Sequence, residues 1–397
     1  MRLLVVMTHY PFPPRTGSAI VAYNSMKHLS KSHSLTFVCL KPEKEFFHSA
    51  EFIDQVEFVC HRKVSQFVMW LRYLCYMLAG VPSSVSAYTS RAMRRKVKML
   101  IEGGKNDAIL LFEMSAMQYC PPSCYQKLIV NIEDPESIKL NRMARLSVWS
   151  LWQTLKLLVL AGLAAHYEKQ MLPQAAKVLL LSEADERDMR DLRHHKNLAC
   201  VTYGVEQRGQ EERLGYEQRE RAIVFSGNMF HPPNVDGALS LLTDIFPLIL
   251  QAYPSAILWV VGANPDERIC DVAAKFGERV VITGTVGDVA HYIRRATVSV
   301  CPVRLRIGVQ TKVLEALSVG TPVVTTSAGN SGVGAVSGRQ LWVEDEPGRF
   351  AGKVVALLQG REWSELSQEG QRFVAERFTW ERSARQLEQH LASLSTD

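Results

Sequence analysis

The stretch CPVRLRIGVQTKVLEALSVGTPVVT, Cys301–Thr325, decides how the chain is read. Val298–Val303 is an apolar, β-branched run of the length of a buried strand. Gly308 then opens a loop, and Lys312–Leu317 has the spacing of a short helix. Gly320 caps that helix, Pro322 stops it, and Val323–Thr326 resumes a strand. Arg304, Arg306 and Lys312 gather around a glycine at a helix N-terminus, where backbone N–H groups and cationic side chains together suit a phosphate. Glu315 stands one helical turn after Lys312, on the same face. Cations for phosphates beside a carboxylate for hydroxyls suit a nucleotide or a nucleotide sugar.

Outward from that stretch, composition sets limits. The 397 residues allow two or three domains with sizeable cores. A hydrophobic fraction of 47% and a charged fraction of 22% are those of an ordinary globular chain. The net charge of +6 is compatible with anionic ligands or a membrane surface and too small to argue for nucleic acid. The 8 cysteines are scattered, which fits a reducing cytoplasm better than a disulfide framework. Cys120 and Cys124 lie close together but without a companion pair, so they read as buried thiols and no metal site is expected. At the N-terminus only Leu3–Met7 is apolar, too short for the core of a signal peptide, so it reads as a first strand. Leu146–Ala165 approaches the composition of a membrane span. Lys156 near its middle would cost roughly 3 kcal/mol on insertion, so an interfacial helix or a buried hairpin is expected.

Taken in order, the first half opens β-loop-α-β: Leu3–Met7, the turn-rich HYPFPPRTGS, a helix over Ala19–Leu29 and a strand over Leu35–Leu40. PPRTGS is not a GxGxxG fingerprint; it reads as a loop facing a substrate or as a structural turn. The runs Asp107–Phe112 and Leu128–Ile132 end at Glu113-Met114-Ser115 and Glu133-Asp134, on the same carboxyl edge as that loop. Phe67–Ala79 is unusually aromatic, and the helix over Ala87–Leu100 carries Arg91, Arg94, Arg95, Lys96 and Lys98. Together they suit an anionic membrane surface or a lipid-phosphate acceptor; the other reading is a core helix followed by a solvated basic face. Glu206–Arg221 is charge-rich and reads as the interdomain linker. Beyond it the βα rhythm repeats, with Ala222–Ser226 leading into Gly227-Asn228 and the loop MFHPPN, then a helix over Val235–Ala252. Two Rossmann-like halves facing each other would leave a cleft between them.

With these segments in place, the chain resembles the retaining glycosyltransferases of the GT-B fold, family-4 group. HYPFPPRTGSA resembles the family's first glycine-containing loop, and HYEKQMLPQAAKVLLLSEADERDM its helix, strand and Ser-Glu segment. FSGNMFHPPNVDG, ITGTVGDVAHYIRRATVSVCPVR and KVLEALSVGTPVVTT resemble the nucleotide-sugar half, and FTWERSARQLEQHL the terminal helix that crosses back to the first domain. The resemblance implies an α/β GT-B architecture: an acceptor domain over 1–205, a nucleotide-sugar domain over 206–376, and a crossover helix over 377–397 packing on the first domain.

It also implies roles. Glu315 matches the second glutamate of the Glu-x7-Glu motif and would bind ribose hydroxyls. Lys312 and Arg304 would neutralise the leaving diphosphate and, with Glu315, form the catalytic set. Gly17, Gly227, Asn228, Arg306 and Gly308 would meet the donor, as would Thr285 and Val286 through backbone at the base. His9, Glu113, Ser115 and Asp134 would meet the acceptor. The chain departs from the pattern at Ile307, which stands where the first glutamate would be, and at His231-Pro232-Pro233-Asn234 in place of the usual Lys-Gly. The implied reaction is glycosyl transfer from a nucleotide-diphosphate sugar to a glycan, lipid-linked or small-molecule acceptor. It would proceed with retention and without a metal or cofactor, in the cytoplasm or on the inner face of the plasma membrane. The competing readings are a GT-B nucleotide-sugar epimerase and a non-catalytic sugar-binding protein.

Overall fold

The apolar runs assemble into two separate parallel sheets. The computed structural model describes residues 1–14, 16–41, 51–59, 73–146, 149–193, 196–206 and 214–394. It divides into two units: Met1–Asn141 with Gln153–Gly204 and Trp380–Asp397, and Arg142–Trp152 with Val205–Thr379.

The sheet of the first unit contains β1 (Arg2–Val6), β2 (Ser34–Leu40), β3 (Gln55–Val59), β4 (Ala108–Leu111), β5 (Leu128–Asn131), β6 (Lys177–Leu180) and β7 (Leu198–Cys200), in the order β3-β2-β1-β4-β5-β6-β7. Every pairing in it is parallel. Strands buried on both faces have no reason to alternate, and β4 and β5 are buried at every position. The order reverses between β1 and β4. Chain leaving the carboxyl ends of these two strands therefore diverges and opens a crevice. Thr16 caps the helix Gly17–Leu29 by accepting from Ala19 N, and Ser90 caps Arg91–Glu102 by accepting from Met93 N.

The second unit holds β8 (Glu220–Ser226), β9 (Ile257–Val261), β10 (Val280–Gly284), β11 (Ala296–Cys301), β12 (Val323–Thr325) and β13 (Trp342–Val343), in the order β10-β9-β8-β11-β12-β13. Its reversal falls between β8 and β11. The helical run Pro232–Ala252 is apolar and long enough to cross a membrane by composition, but half of that window is buried within the protein. Val235, Leu242, Phe246 and Ile249 face the core of this unit.

The C-terminal helix Trp380–Ser393 belongs to the first unit. It lies on Gly17–Leu29, where His28 Nε2 stands 3.4 Å from Glu381. Gln386 Oε1 accepts from both Thr202 N and Thr202 Oγ1 at 2.9 Å. The Trp380 ring is 5.1 Å from that of Tyr203 and covers Gly204, where a Cβ would come within 2.5 Å of the indole.

Three expectations are revised. Residues 214–221 are not linker: Arg219 is buried and donates to Leu214 O, Ala296 O, Thr321 Oγ1, Val319 O and Gly320 O. The charge in this run serves the core of the second unit, and β8 begins inside it. Leu151–Met171 is one helix rather than a hairpin, with Leu151, Trp152, Leu155, Leu158 and Val159 exposed along it. The basic helix begins at Arg91 rather than Ala87, and part of its charge is engaged. Lys96 pairs with Glu57 at 3.0 Å, Lys98 with Glu102 at 3.5 Å, and Arg94 Nε donates to Gln118 O. Of the aromatic segment 67–79, residues 67–72 lie outside the described residues.

Candidate functional site

Each unit carries a polar constellation at its own sheet reversal. In the second unit, β8 ends at Ser226 and the chain turns at Gly227, φ 152°. A side chain is excluded there. A Cβ on Gly227 would lie 2.7 Å from Asn234 Nδ2 and 3.1 Å from Lys312 Nζ. The helix Thr311–Ser318 delivers Lys312 into this corner from the other side of the reversal. Its Nζ donates to Asn234 Oδ1 at 2.5 Å and stands 4.7 Å from the centre of the Phe225 ring. Asn234 Nδ2 in turn donates to Asn228 O at 2.9 Å, so the amide is oriented to present its oxygen to the lysine. Burial pushes the Lys312 ammonium below its ordinary range, while Glu315 opposes that shift. A cation so placed gains most from an arriving anion, because little solvent screens the pair.

Arg304 leaves the loop after β11 and forms a two-point ion pair with the buried Asp236, Nε to Oδ2 at 2.9 Å and Nη2 to Oδ1 at 2.5 Å. The pair fixes the guanidinium, and the Arg304 side chain remains half exposed. Gly308 adopts φ 49° just before the helix, and its carbonyl would meet a Cβ on Gly332 at 2.3 Å. The backbone there is held from behind. Arg306 offers its carbonyl to Arg142 Nη1 at 2.7 Å. Glu315 is exposed on the helix of Lys312. Thr285 and Val286 follow β10, the edge strand, and are exposed and half-buried respectively.

Ile307 has a physical role here: with Leu305 and Leu146 it forms a small apolar cluster, and Met143 and Trp149 pack on it. Met143, Leu146 and Trp149 belong to this unit and provide the apolar wall that a glutamate at 307 would have to face. Residue order carried no sign of that wall. It gave a partial sign of Asn234 and Asp236, which stand in the departing HPPNVDG loop but carried no assignment.

In the first unit a cavity of about 290 Å³ opens at the reversal between β1 and β4. Three of its lining groups come from the chain just past strand ends: His9 after β1, Glu113 after β4 and Glu133 after β5. Glu113 accepts from Ser115 Oγ at 3.0 Å and from Thr8 Oγ1, and pairs with His9 Nδ1 at 2.5 Å. Burial alone would raise the Glu113 carboxyl, but the hydrogen bond and charge of His9, with Thr8 and Ser115, hold it below its ordinary range. Burial likewise works against a charged His9, and Glu113 outweighs it, raising the imidazole. Asp134 stands 3.7 Å from Lys139.

Glu133 differs from its neighbours. Its Oε1 is shut off from solvent and has no hydrogen-bond partner. Gly17 lies against it: a Cβ there would approach the two carboxyl oxygens at 3.2 and 3.3 Å. Burial, reinforced by the adjacent Asp134 and by Glu113 and opposed by Lys139 and His9, pushes the Glu133 carboxyl up to about 7. Three strand tips thus hold two carboxyls displaced in opposite directions, with a histidine between them in charge. From sequence Glu133 was read, with Asp134, only as a polar group at a strand tip, and of the two Asp134 alone was assigned to the acceptor. The neighbourhood of Glu133 depends on Gly17 folding over it, which residue order does not reveal. Among the described residues no group of three or more His, Cys, Asp or Glu side chains is disposed to hold a metal ion.

Comparison with known proteins fits this geometry. The family described as Glycosyl transferases group 1 matches residues 220–360, little more than a third of the chain and most of the second unit. An uncharacterized 44.6 kDa protein in the cps region of Klebsiella pneumoniae is 26% identical over 140 residues. That match spans 34% of this chain and only 36% of the length of the relative. Sucrose-phosphate synthase of Thermosynechococcus elongatus superposes with a TM-score of 0.71 at 15% identity, covering 100% of both chains. HepE of Anabaena, solved with UDP and glucose, superposes at 0.67 and 12% identity over 98% of this chain and 99% of that one. A mutant TarM of S. aureus, solved with UDP among its ligands, superposes at 0.67 and 10% identity over 98% and 100%. The chain has the GT-B fold of two parallel-sheet α/β units, and its residues 220–360 match the glycosyl transferases group 1.

Proposed function

We propose that this protein transfers a glycosyl group from a nucleotide-diphosphate sugar to an acceptor hydroxyl. The observation that carries the reading is the corner formed by Gly227, Asn234 and Lys312, inside the stretch that matches the glycosyl transferases group 1. A glycosyl phosphate bond breaks as negative charge builds on the leaving diphosphate. Lys312, oriented by Asn234, and Arg304, fixed by Asp236, are the cations to stabilise that charge, with the backbone N–H groups at the start of Thr311–Ser318. Glu315, exposed on the same helix, would accept hydrogen bonds from a vicinal diol such as that of ribose. The charge these residues supply lets the reaction proceed without a divalent metal. In this reading the anomeric configuration is retained, with the departing phosphate assisting deprotonation of the acceptor. UDP in the HepE and TarM structures makes a uridine donor the first to try.

Lys312→Ala and Glu315→Ala are each expected to abolish transfer while leaving the circular dichroism spectrum unchanged. Near-normal turnover in both would refute the assignment. Incubation with the donor alone separates the neighbouring activity: an epimerase converts it, whereas a transferase at most hydrolyses it slowly.

A further inference from the structure

The cavity of the first unit has a charge balance that bears on what it admits. His9 answers Glu113 and Lys139 answers Asp134. Glu136 and Glu168, which also line it, accept from Ser84 Oγ and from the Ser137 backbone and hydroxyl. Among the described lining residues carboxyls therefore outnumber cations, and both of those cations are paired with a carboxylate. From these residues an entering phosphate, sulfate or carboxylate would meet several like charges and no cation without a carboxylate partner. The solvent-shut Oε1 of Glu133 is the one buried carboxyl oxygen of this set left without a hydrogen-bond partner among the described residues.

We propose that this cavity selects an uncharged, hydroxyl-bearing ring, and that Glu133, which lines it with a buried carboxyl oxygen lacking a partner, is the residue that makes the selection by holding a ring hydroxyl. The proposal rests on the glycosyl-transfer reading and assigns the chemical class of its acceptor: a neutral glycosyl residue rather than a phosphorylated or carboxylated one.

The geometry explains the choice. A protonated carboxyl donates through one oxygen and accepts through the other, which matches a hydroxyl that does both. Among the described residues the groups facing Glu133 are Asp134 beside it, Lys139 on the following helix, Glu113 and His9 from the neighbouring strand tips, and the backbone of Gly17, whose helix has no acid in its first turn. The two acids favour the neutral form and the two cations oppose it, with burial tipping the balance. A neutral ring that displaces remaining water deepens the burial and favours the protonated form further, so ligand and proton bind together. Glutamine reproduces the donor and acceptor pattern of the protonated acid without its titration.

The test is calorimetric binding to the full chain of methyl glucoside, galactoside and mannoside, their uronic acid counterparts and the matching 2-amino-2-deoxy glycosides, at pH 6 and pH 8.5. Binding of at least one neutral glycoside is expected, weakening about tenfold or more at the higher pH as the protonated fraction falls. The matching uronoside is expected to bind at least about tenfold more weakly at both values. Glu133→Gln is expected to bind the neutral glycoside equally at both pH values, and Glu133→Ala to lose it. Equal binding of the uronoside, binding of the amino glycosides alone, an unchanged pH dependence in Glu133→Gln, or no neutral glycoside bound would each overturn the proposal. Donor binding followed on the same samples keeps the two readings apart. Loss of nucleotide-sugar binding in the unmodified protein refutes the glycosyl-transfer reading, whereas failure of the glycoside series with donor binding intact refutes only this one.

Discussion

Replacing Glu133 by glutamine should stabilise the protein, and by more at pH 8 than at pH 5. The carboxyl is held at about 7 in the fold against 4.5 for the free group. A group whose folded value is raised adds its full stability only below the unfolded value. That contribution is lost as pH rises through the folded value. Glu133 therefore costs the fold about 3 kcal/mol at pH 8, where it is ionised in both states, and about 1 kcal/mol at pH 5, where only the unfolded chain ionises, from roughly 1.4 kcal/mol for each unit of displacement. Glutamine keeps the shape, escapes the ionisation and recovers most of that cost. The difference between the two pH values, about 2 kcal/mol, corresponds to about 4–8 °C in the melting temperature of a unit of this size. Differential scanning calorimetry of the wild type and Glu133→Gln from pH 5 to pH 8 measures it directly. A melting difference that stays flat across this range, or a variant less stable at pH 8, would refute the reasoning. A carboxyl kept at such a cost at a strand tip, in a cavity, is the pattern of a group retained for what it does.

Two further outcomes follow from the same structure. Arg219→Ala should lower the stability of the second unit by about 3 kcal/mol or more, because it strands buried carbonyls that now accept from one guanidinium; chemical denaturation monitored by tryptophan fluorescence reads it. We also propose that the exposed apolar positions Leu155, Leu158 and Val159, with the basic helix Arg91–Glu102 of the same unit, dock on an anionic membrane surface. Co-sedimentation with phosphatidylglycerol vesicles should then be strong at low salt and weaken as salt rises, and no binding at low salt removes the idea.

The sheets were readable in the sequence because strands buried on both faces are written as largely apolar runs: β4 is wholly apolar and β5 is so up to Asn131, while β11 keeps only Thr297 and Ser299 among apolar residues. Boundaries were less so. Ser90 rather than Ala87 begins the basic helix because its hydroxyl caps Met93 N, and the Ala87 region forms its own short turn. The linker reading does not hold for 214–221, where charge was taken for solvent exposure and the Arg219 guanidinium is instead consumed by backbone carbonyls. Lys312 and Glu315 were legible because their spacing on one helix is local. Asn234, Asp236 and Glu133 act through partners 78, 68 and 116 positions away, Lys312, Arg304 and Gly17, and only the fold brings those partners together.

The central claim is that the corner of Gly227, Asn234 and Lys312 receives the diphosphate of a sugar nucleotide. Thermal-shift titration with UDP-, GDP-, ADP- and dTDP-sugars tests it most directly. One of these should raise the melting temperature in proportion to about 2.7 kcal/mol at a hundredfold excess over its dissociation constant, and the rise should vanish in Lys312→Ala. No shift with any of the four, or an equal shift in the variant, would contradict it.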